Sequence, residues 1–251
     1  MTIDIFLTAF VVIVIMVGAI YPILGLLEMR KLKFRYDQDL PVQKVKFFYS
    51  NILWAWIPVI IIFIVVLLTN TDFRELGFKW IELSRTTISS WIKYSIIGIY
   101  IIYFLYCLYS IISLKTDEAS RQKIAKKIPE HFRLFLPVTK QEKNVWILVA
   151  ITAGVAEEII YRGYFFYCLS YIFPGLSIHH ILFLTTLIFG IGHLYLGMEV
   201  IKSTILGLIF GIFYIVFDSL IPVILIHVLQ DLSARDLLSV KDNFKTTTNN
   251  N

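Results

Sequence analysis

Polar and apolar positions along this chain separate into blocks instead of alternating. Apolar runs extend from about Ile5 to Leu27, Phe47 to Thr69, Trp91 to Leu114, Val145 to Leu169, Ile178 to Leu196, Val200 to Phe217 and Leu220 to Leu238. Each is near the ~20 residues a helix needs to cross the hydrocarbon core of a bilayer. Continuous apolar runs argue against the period-two pattern of a β-barrel, which leaves helices as the elements that satisfy their own backbone in lipid. The expected fold is therefore all-α: a polytopic transmembrane helical bundle of about seven spans, one membrane domain over residues 1–251.

The intervening segments divide that domain. No Lys or Arg precedes the first run and no small-residue cleavage site follows it, so it reads as a retained span. Residues 1–114 carry the three N-terminal spans, with Trp54 and Trp56 as interfacial anchors. Within them, Thr71 to Ser90 mixes charge with Phe73, Leu76, Phe78, Trp80 and Ile81, and reads as a short amphipathic segment on the membrane surface. A basic loop covers 115–144. Its centre, Asp117 to Arg133, has helical composition and reads as a surface helix broken by Pro137. The last four spans, 145–238, form a second block, followed by a polar tail at 239–251 that reads as disordered.

Composition agrees: 58% of residues are hydrophobic and 16% charged, against roughly 25% charged in soluble domains. The net charge of +5 belongs to topology and not to nucleic-acid binding. With the N-terminus outside, the inner segments hold 18 of the 23 basic residues, which places the C-terminus in the cytoplasm. Cys107 and Cys168 both lie in apolar runs and read as packing residues.

Chemistry enters at Ala156-Glu157-Glu158-Ile159-Ile160-Tyr161-Arg162-Gly163, inside the fourth span. Each charged residue at a helix centre costs roughly 2.5–3.5 kcal/mol on insertion scales, so three together imply use. Glu158 and Arg162 stand at i and i+4, share a face and can pair; Glu157 points about 100° away and is free for other work. His193 lies near the inner end of the fifth span. His227 and Asp231 lie in the seventh, again at i and i+4. Lipid offers these groups no partners, so convergence on one polar cavity among the last four spans is the least costly arrangement. By contrast, His179, His180 and His131 sit at interfaces or in the loop, Asp218 reads as a cap in a turn, and Gly207 and Gly211 permit a close helix contact.

A carboxylate and an imidazole meeting at one water form a general base for attack on a carbonyl. With neutral histidines, two Glu, one Asp and one Arg leave a charge of about −2 in a low-dielectric site. A shared proton, a protonated histidine or a divalent cation such as Zn²⁺ held by Glu157, His193 and His227 would offset it. No His-Glu-x-x-His helix is present, and the residues leave metal and metal-free activation both open.

Glu157-Glu158-x-x-x-Arg162, Phe189-x-x-x-His193 and His227-x-x-x-Asp231, in order and each in its own span, resemble the three motifs of the CPBP (Abi) family. That family contains type II CAAX prenyl endopeptidases and bacteriocin-processing intramembrane proteases. The resemblance covers about Leu136 to Leu238. It implies that Glu157 and His193 activate water, Glu158 and Arg162 support the site, and His227 with residue 231 serves the oxyanion or a metal. Two positions depart from the pattern. Tyr161 stands where Phe is common, and Asp231 stands where many members have Asn; an ionised Asp cannot donate to an oxyanion. The expected substrate is a peptide precursor (a pheromone, a bacteriocin leader or a membrane protein's tail) in a bacterial plasma membrane. The alternative is a non-proteolytic membrane partner, an immunity protein or a sensor-kinase modulator, in which the polar cluster is structural. A homo-oligomer is open in either case.

Overall fold

The computed structural model describes residues 2–34, 40–83 and 88–239. The expected disordered tail lies, from residue 240, outside them. The described chain is helical, without strands. The helices are α1 (Thr2–Ile15), α2 (Tyr21–Phe34), α3 (Leu40–Thr69), α4 (Ser90–Thr116), α5 (Glu118–Ala125), α6 (Glu130–Arg133), α7 (Lys140–Glu158), α8 (Phe165–Ile172), α9 (Ile178–Gly192), α10 (Val200–Phe217) and α11 (Leu220–Ser233). Two π turns make longer rods: Met16–Ile20 joins α1 to α2, and Ile159–Tyr164 joins α7 to α8. Pro22 lacks the N–H that an α-helix would use next, which accounts for the first π turn ending there.

Five of the resulting helices are long and apolar enough to cross a membrane: Ile3–Leu32, Pro41–Thr69, Ser90–Thr116, Lys140–Ile172 and Leu194–Phe217. Two expected spans are shorter helices, α9 with 15 residues and α11 with 14. Burial sets the layering. Of the most apolar stretch of Lys140–Ile172, 56% is inside the protein, against 6% for Ser90–Thr116. The α7–α8 rod is thus the axis, and α4 is a peripheral helix with Ile99, Ile102, Leu105 and Ile112 turned outward. A helix face of large apolar side chains, continuous along its length, is most stable against hydrocarbon, as in an integral membrane protein.

Small residues bring the axis and its neighbours together. A Cβ on Gly154 would lie 2.5 Å from Val228 Cγ2 and 2.9 Å from the Val228 backbone nitrogen, so α7 and α11 touch backbone to side chain. A Cβ on Gly207 would lie 2.8 Å from Phe189, and one on Gly211 would lie 2.4 Å from Leu182. The small-residue stripe of α10 therefore packs against α9 of the same chain.

Two expected surface segments fold differently. The segment after α3 is a 3₁₀ turn at Phe73–Leu76, capped by Asp72 and ended by Gly77 at φ 83°. It is held to the α10–α11 turn. Leu220 N–H donates to the Gly77 carbonyl (2.9 Å), Ser219 Oγ donates to the Lys79 carbonyl (2.6 Å), and Lys79 pairs with Asp218 (2.7 Å). Leu76 is fully buried, so this end of the bundle is closed by a plug instead of carrying an amphipathic helix. At the other end, Pro129 divides the expected surface helix into α5 and α6. Leu136 then turns under the bundle beside Phe48 and Trp146. A buried ion pair, Lys44 with Glu142 at 2.9 Å, fastens α3 to the start of α7 there. This is the end bearing the basic segments. Cys107 and Cys168 are free and buried, as packing residues should be.

Candidate active site

Glu157 and Glu158 close α7, at the point where it passes into the π turn. Single π turns inside helices recur at functional sites because the wider turn re-aims adjacent side chains. The two carboxylates have opposite environments. Glu158 is fully buried, and its Oε1 accepts from Arg162 Nη1 at 2.7 Å and from His227 Nδ1 at 2.6 Å. Arg162 Nη2 donates to the Gly207 carbonyl (2.7 Å), and the guanidinium lies 4.9 Å from the Phe189 ring centre. Glu158 thus ties α11, α10 and the π turn into one hydrogen-bonded knot.

Glu157 remains 24% exposed and faces a cavity of about 520 Å³. Its Oε2 lies 3.9 Å from His193 Nε2 and 3.9 Å from His227 Nε2. Asp231 Oδ2 is 3.8 Å from the same His227 nitrogen. All four residues line the cavity. The other face of each imidazole is occupied. His193 caps α9, donates Nδ1–H to the Phe189 carbonyl at 2.8 Å and stacks on the Phe189 ring at 4.4 Å. His227 uses Nδ1 on Glu158 and rests against Phe210 at 5.0 Å. These bonds fix the tautomers, so each Nε2 is aimed at Glu157.

Neutral Nε2 and ionised Oε2 are both acceptors, and acceptors 3.9 Å apart need a donor between them. A water hydrogen-bonded to each at ~2.8 Å fits that gap. Ligands of one tetrahedral zinc, bound at ~2.0–2.1 Å, stand ~3.4 Å apart. Among the described residues no three His, Cys, Asp or Glu side chains are grouped closely enough to hold a metal. The donor chemistry suits zinc, and the 3.9 Å spacing also accommodates a shared water.

All six residues singled out from the sequence therefore meet around one point, two as a buried support and four at the cavity wall. Sequence spacing missed Tyr195 and gave Tyr161 no role beyond a departure from the motif. Tyr195, in the 3₁₀ turn after His193, lines the cavity within electrostatic reach of Glu157 and Asp231. Its ring is seated against the Cα of Gly25, where a Cβ would come within 2.8 Å. Tyr161 is buried within reach of Glu157, one helical turn along from it. Nothing in the periodicity separates these from the other tyrosines of the chain; only the fold brings α2 against the turn after α9. His179 and His180 stay away from the cluster, His180 bonded to Ser177 at 2.7 Å.

The family model described as Type II CAAX prenyl endopeptidase Rce1-like matches residues 141–233, from the first turn of α7 to the last residue of α11. No curated protein and no solved structure matches the chain. The matched helices are those that carry the six residues, so the likeness to the type II CAAX prenyl endopeptidases covers the site and not the N-terminal helices.

Proposed function

With that similarity as the premise, we propose that the chain is an intramembrane endopeptidase in which Glu157 and His193 activate the attacking water. The carrying observation is the placing of Glu157 Oε2 at 3.9 Å from both His193 Nε2 and His227 Nε2 in an open cavity. A water between Glu157 and His193 donates one hydrogen bond to each and keeps an oxygen lone pair free for a carbonyl carbon. Glu157 takes a proton as the C–O bond forms. His227, carrying both ring protons, donates Nε2–H to the developing oxyanion. Glu157 then returns its proton to the amide nitrogen as the C–N bond breaks. Glu158 and Arg162 are positioning residues that hold His227 in place. Asp231 stabilises the imidazolium form of His227, the role open to an ionised Asp where Asn would donate directly.

Zinc chemistry would draw on the same atoms. Glu157, His193 and His227 would be its ligands, the donors closing by about half an ångström, and it would supply Lewis-acid polarisation. The 3.9 Å spacing accommodates the shared water without that closing.

The substrate would be a membrane-associated or precursor peptide: a pheromone, a bacteriocin leader or a CAAX-like tail. The cavity lining reaches Glu28, Phe132 and Lys202, at the end of the bundle that bears the basic segments, so the positive-inside rule would put cleavage near the cytoplasmic face of a bacterial plasma membrane. The test is Glu157→Gln and, separately, His193→Ala in the native host, with secreted and membrane peptides profiled by mass spectrometry at matched protein levels. Loss of one product with accumulation of its longer precursor in both variants is expected. An unchanged profile, with the deletion phenotype absent from both, would favour the non-proteolytic partner.

A further inference from the structure

The matched segment supplies the polar cluster but only part of the cavity wall. Much of the remainder comes from α2 and α3, through Tyr21, Leu24, Phe47, Asn51 and Trp54, with Phe132, Phe135 and Leu136 before α7. A second cavity of about 360 Å³ lies between the same two helices toward the basic end, with Glu28, Lys31, Gln43 and Lys46 on its rim. The two cavities share Glu28, Phe47 and Ser50 as wall residues. They form one groove, which runs from a charged mouth, past Ser50, to Glu157.

The lining changes along its length. Beyond the mouth the walls are aromatic: Phe47, Tyr21, Trp54, Phe135 and Trp146. Tyr21 crosses the gap between the helices, its hydroxyl donating to the Trp54 carbonyl at 2.7 Å and its ring 6.1 Å from that of Trp54. Within this apolar stretch two neighbouring side chains on α3 are polar, Ser50 and Asn51. Both are half-buried, and neither has a hydrogen-bond partner among the described residues. A carboxamide offers both a donor and an acceptor, the complement of a peptide unit. A groove with a polar step between aromatic walls suits a backbone to hydrogen-bond and a bulky side chain to enclose. Trp146 connects the wall to the site, its indole N–H donating to the Asp231 carbonyl at 2.9 Å.

We infer that the α2–α3 groove is the substrate channel: Asn51 and Ser50 bind the backbone of an extended peptide, and the Tyr21–Trp54–Trp146 walls take a bulky apolar side chain beside the scissile bond. This rests on the protease reading for its purpose but is tested by binding. Ser50→Cys is made in the Glu157→Gln background and placed in lipid nanodiscs, with native Cys107 and Cys168 buried and the parent Glu157→Gln protein giving the background labelling. Labelling by a water-soluble maleimide is then timed. Controls are Lys126→Cys, in the exposed basic segment, and Ile102→Cys, on the outward face of α4. The probe is an acetylated, amidated decapeptide with Leu-Phe-Phe-Leu at its centre.

Ser50→Cys is expected to label within about tenfold of Lys126→Cys, with Ile102→Cys far slower. The peptide is expected to slow labelling at Ser50→Cys at least fivefold and leave Lys126→Cys untouched. Adding Asn51→Ala should demand about tenfold more peptide, the loss of one net hydrogen bond. An unreactive Ser50→Cys, or a reactive one that the peptide does not protect, overturns the inference. Protection by S-farnesylcysteine but not by the peptide overturns it in favour of an isoprenyl ligand. Protection by the peptide in a protein whose Glu157 form cleaves nothing leaves the channel standing and removes the protease reading.

Discussion

Glu157 and Glu158 are adjacent in the chain, and their conversion to glutamine should have opposite consequences. Glu158 is fully buried, and one of its oxygens accepts from both Arg162 (2.7 Å) and His227 (2.6 Å). In Glu158→Gln the Arg162 side chain, 3% exposed, keeps its bond to the Gly207 carbonyl and its aromatic neighbours but loses its counter-charge. Removing one partner of a buried ion pair typically costs about 3–5 kcal/mol, because the remaining charge stays desolvated. For a chain of this size 1 kcal/mol moves the melting temperature by about 2–4 °C, which puts the loss at about 6–20 °C. Glu157, at 24% exposure with no ionic contact closer than 3.9 Å, has little to lose. Glu157→Gln should melt within about 2 °C of the parent while losing about 10²–10⁴ in turnover, the usual contribution of a general base. The assay is thermal unfolding of detergent-solubilised protein followed by tryptophan fluorescence, beside peptide cleavage. Equal melting temperatures for the two variants would refute the division into a support carboxylate and a working carboxylate. So would a Glu157→Gln protein that is as unstable as Glu158→Gln.

Other outcomes follow from the same geometry. Gly154→Leu would drive its side chain into the Val228 backbone and part α7 from α11, so melting temperature and activity should fall together. Gly175→Ala, with nothing within 4 Å, should change neither, as measured by the same two assays. Lys44→Met leaves Glu142 buried beside the Val138 N–H alone and should destabilise by about 3–5 kcal/mol; adding Glu142→Leu should recover most of that loss in the melting curve. Asp231→Asn should hold turnover within about threefold, since the amide can donate to the oxyanion itself, whereas Asp231→Ala should lose about 10–100-fold in steady-state cleavage. Protein purified without chelators should contain far less than one zinc per chain by elemental analysis; stoichiometric zinc lost together with activity would move the mechanism to its metal form.

The packing of the matched helices also accounts for how such a cluster is assembled from short helices. α9 and α11 are too short to cross a bilayer unaided, yet they carry His193 and His227. α9 is seated through the Phe189 and Leu182 side chains on Gly207 and Gly211 of α10, and α11 through the Val228 backbone on Gly154 of α7. The buried Glu158–Arg162 pair belongs to the same packing, since it joins the π turn to α10 and α11.

Hydrophobic blocks determined the fold class, because a backbone in lipid has few ways to satisfy its hydrogen bonds. Helical spacing was enough to pair Glu158 with Arg162, to leave Glu157 free, and to place His227 and Asp231 on one face. Those relations lie within single helices, where 3.6 residues per turn dictates geometry. Ordered motifs in separate spans were enough to suggest the family. Only the tertiary structure decided the rest. That Leu76 plugs the bundle and that Leu136 turns beneath it depends on contacts with α11, α3 and α7, which local composition does not encode. That Gly207 and Gly211 serve a contact inside the chain depends on which helix lies opposite. Glu157, His193 and His227 are separated by 36 and 34 residues, and no periodicity sets the 3.9 Å between their polar atoms. The α2–α3 groove is the plainest case. Its residues are ordinary apolar and polar positions of two N-terminal helices, and they become a channel only because those helices stand apart in front of the cluster.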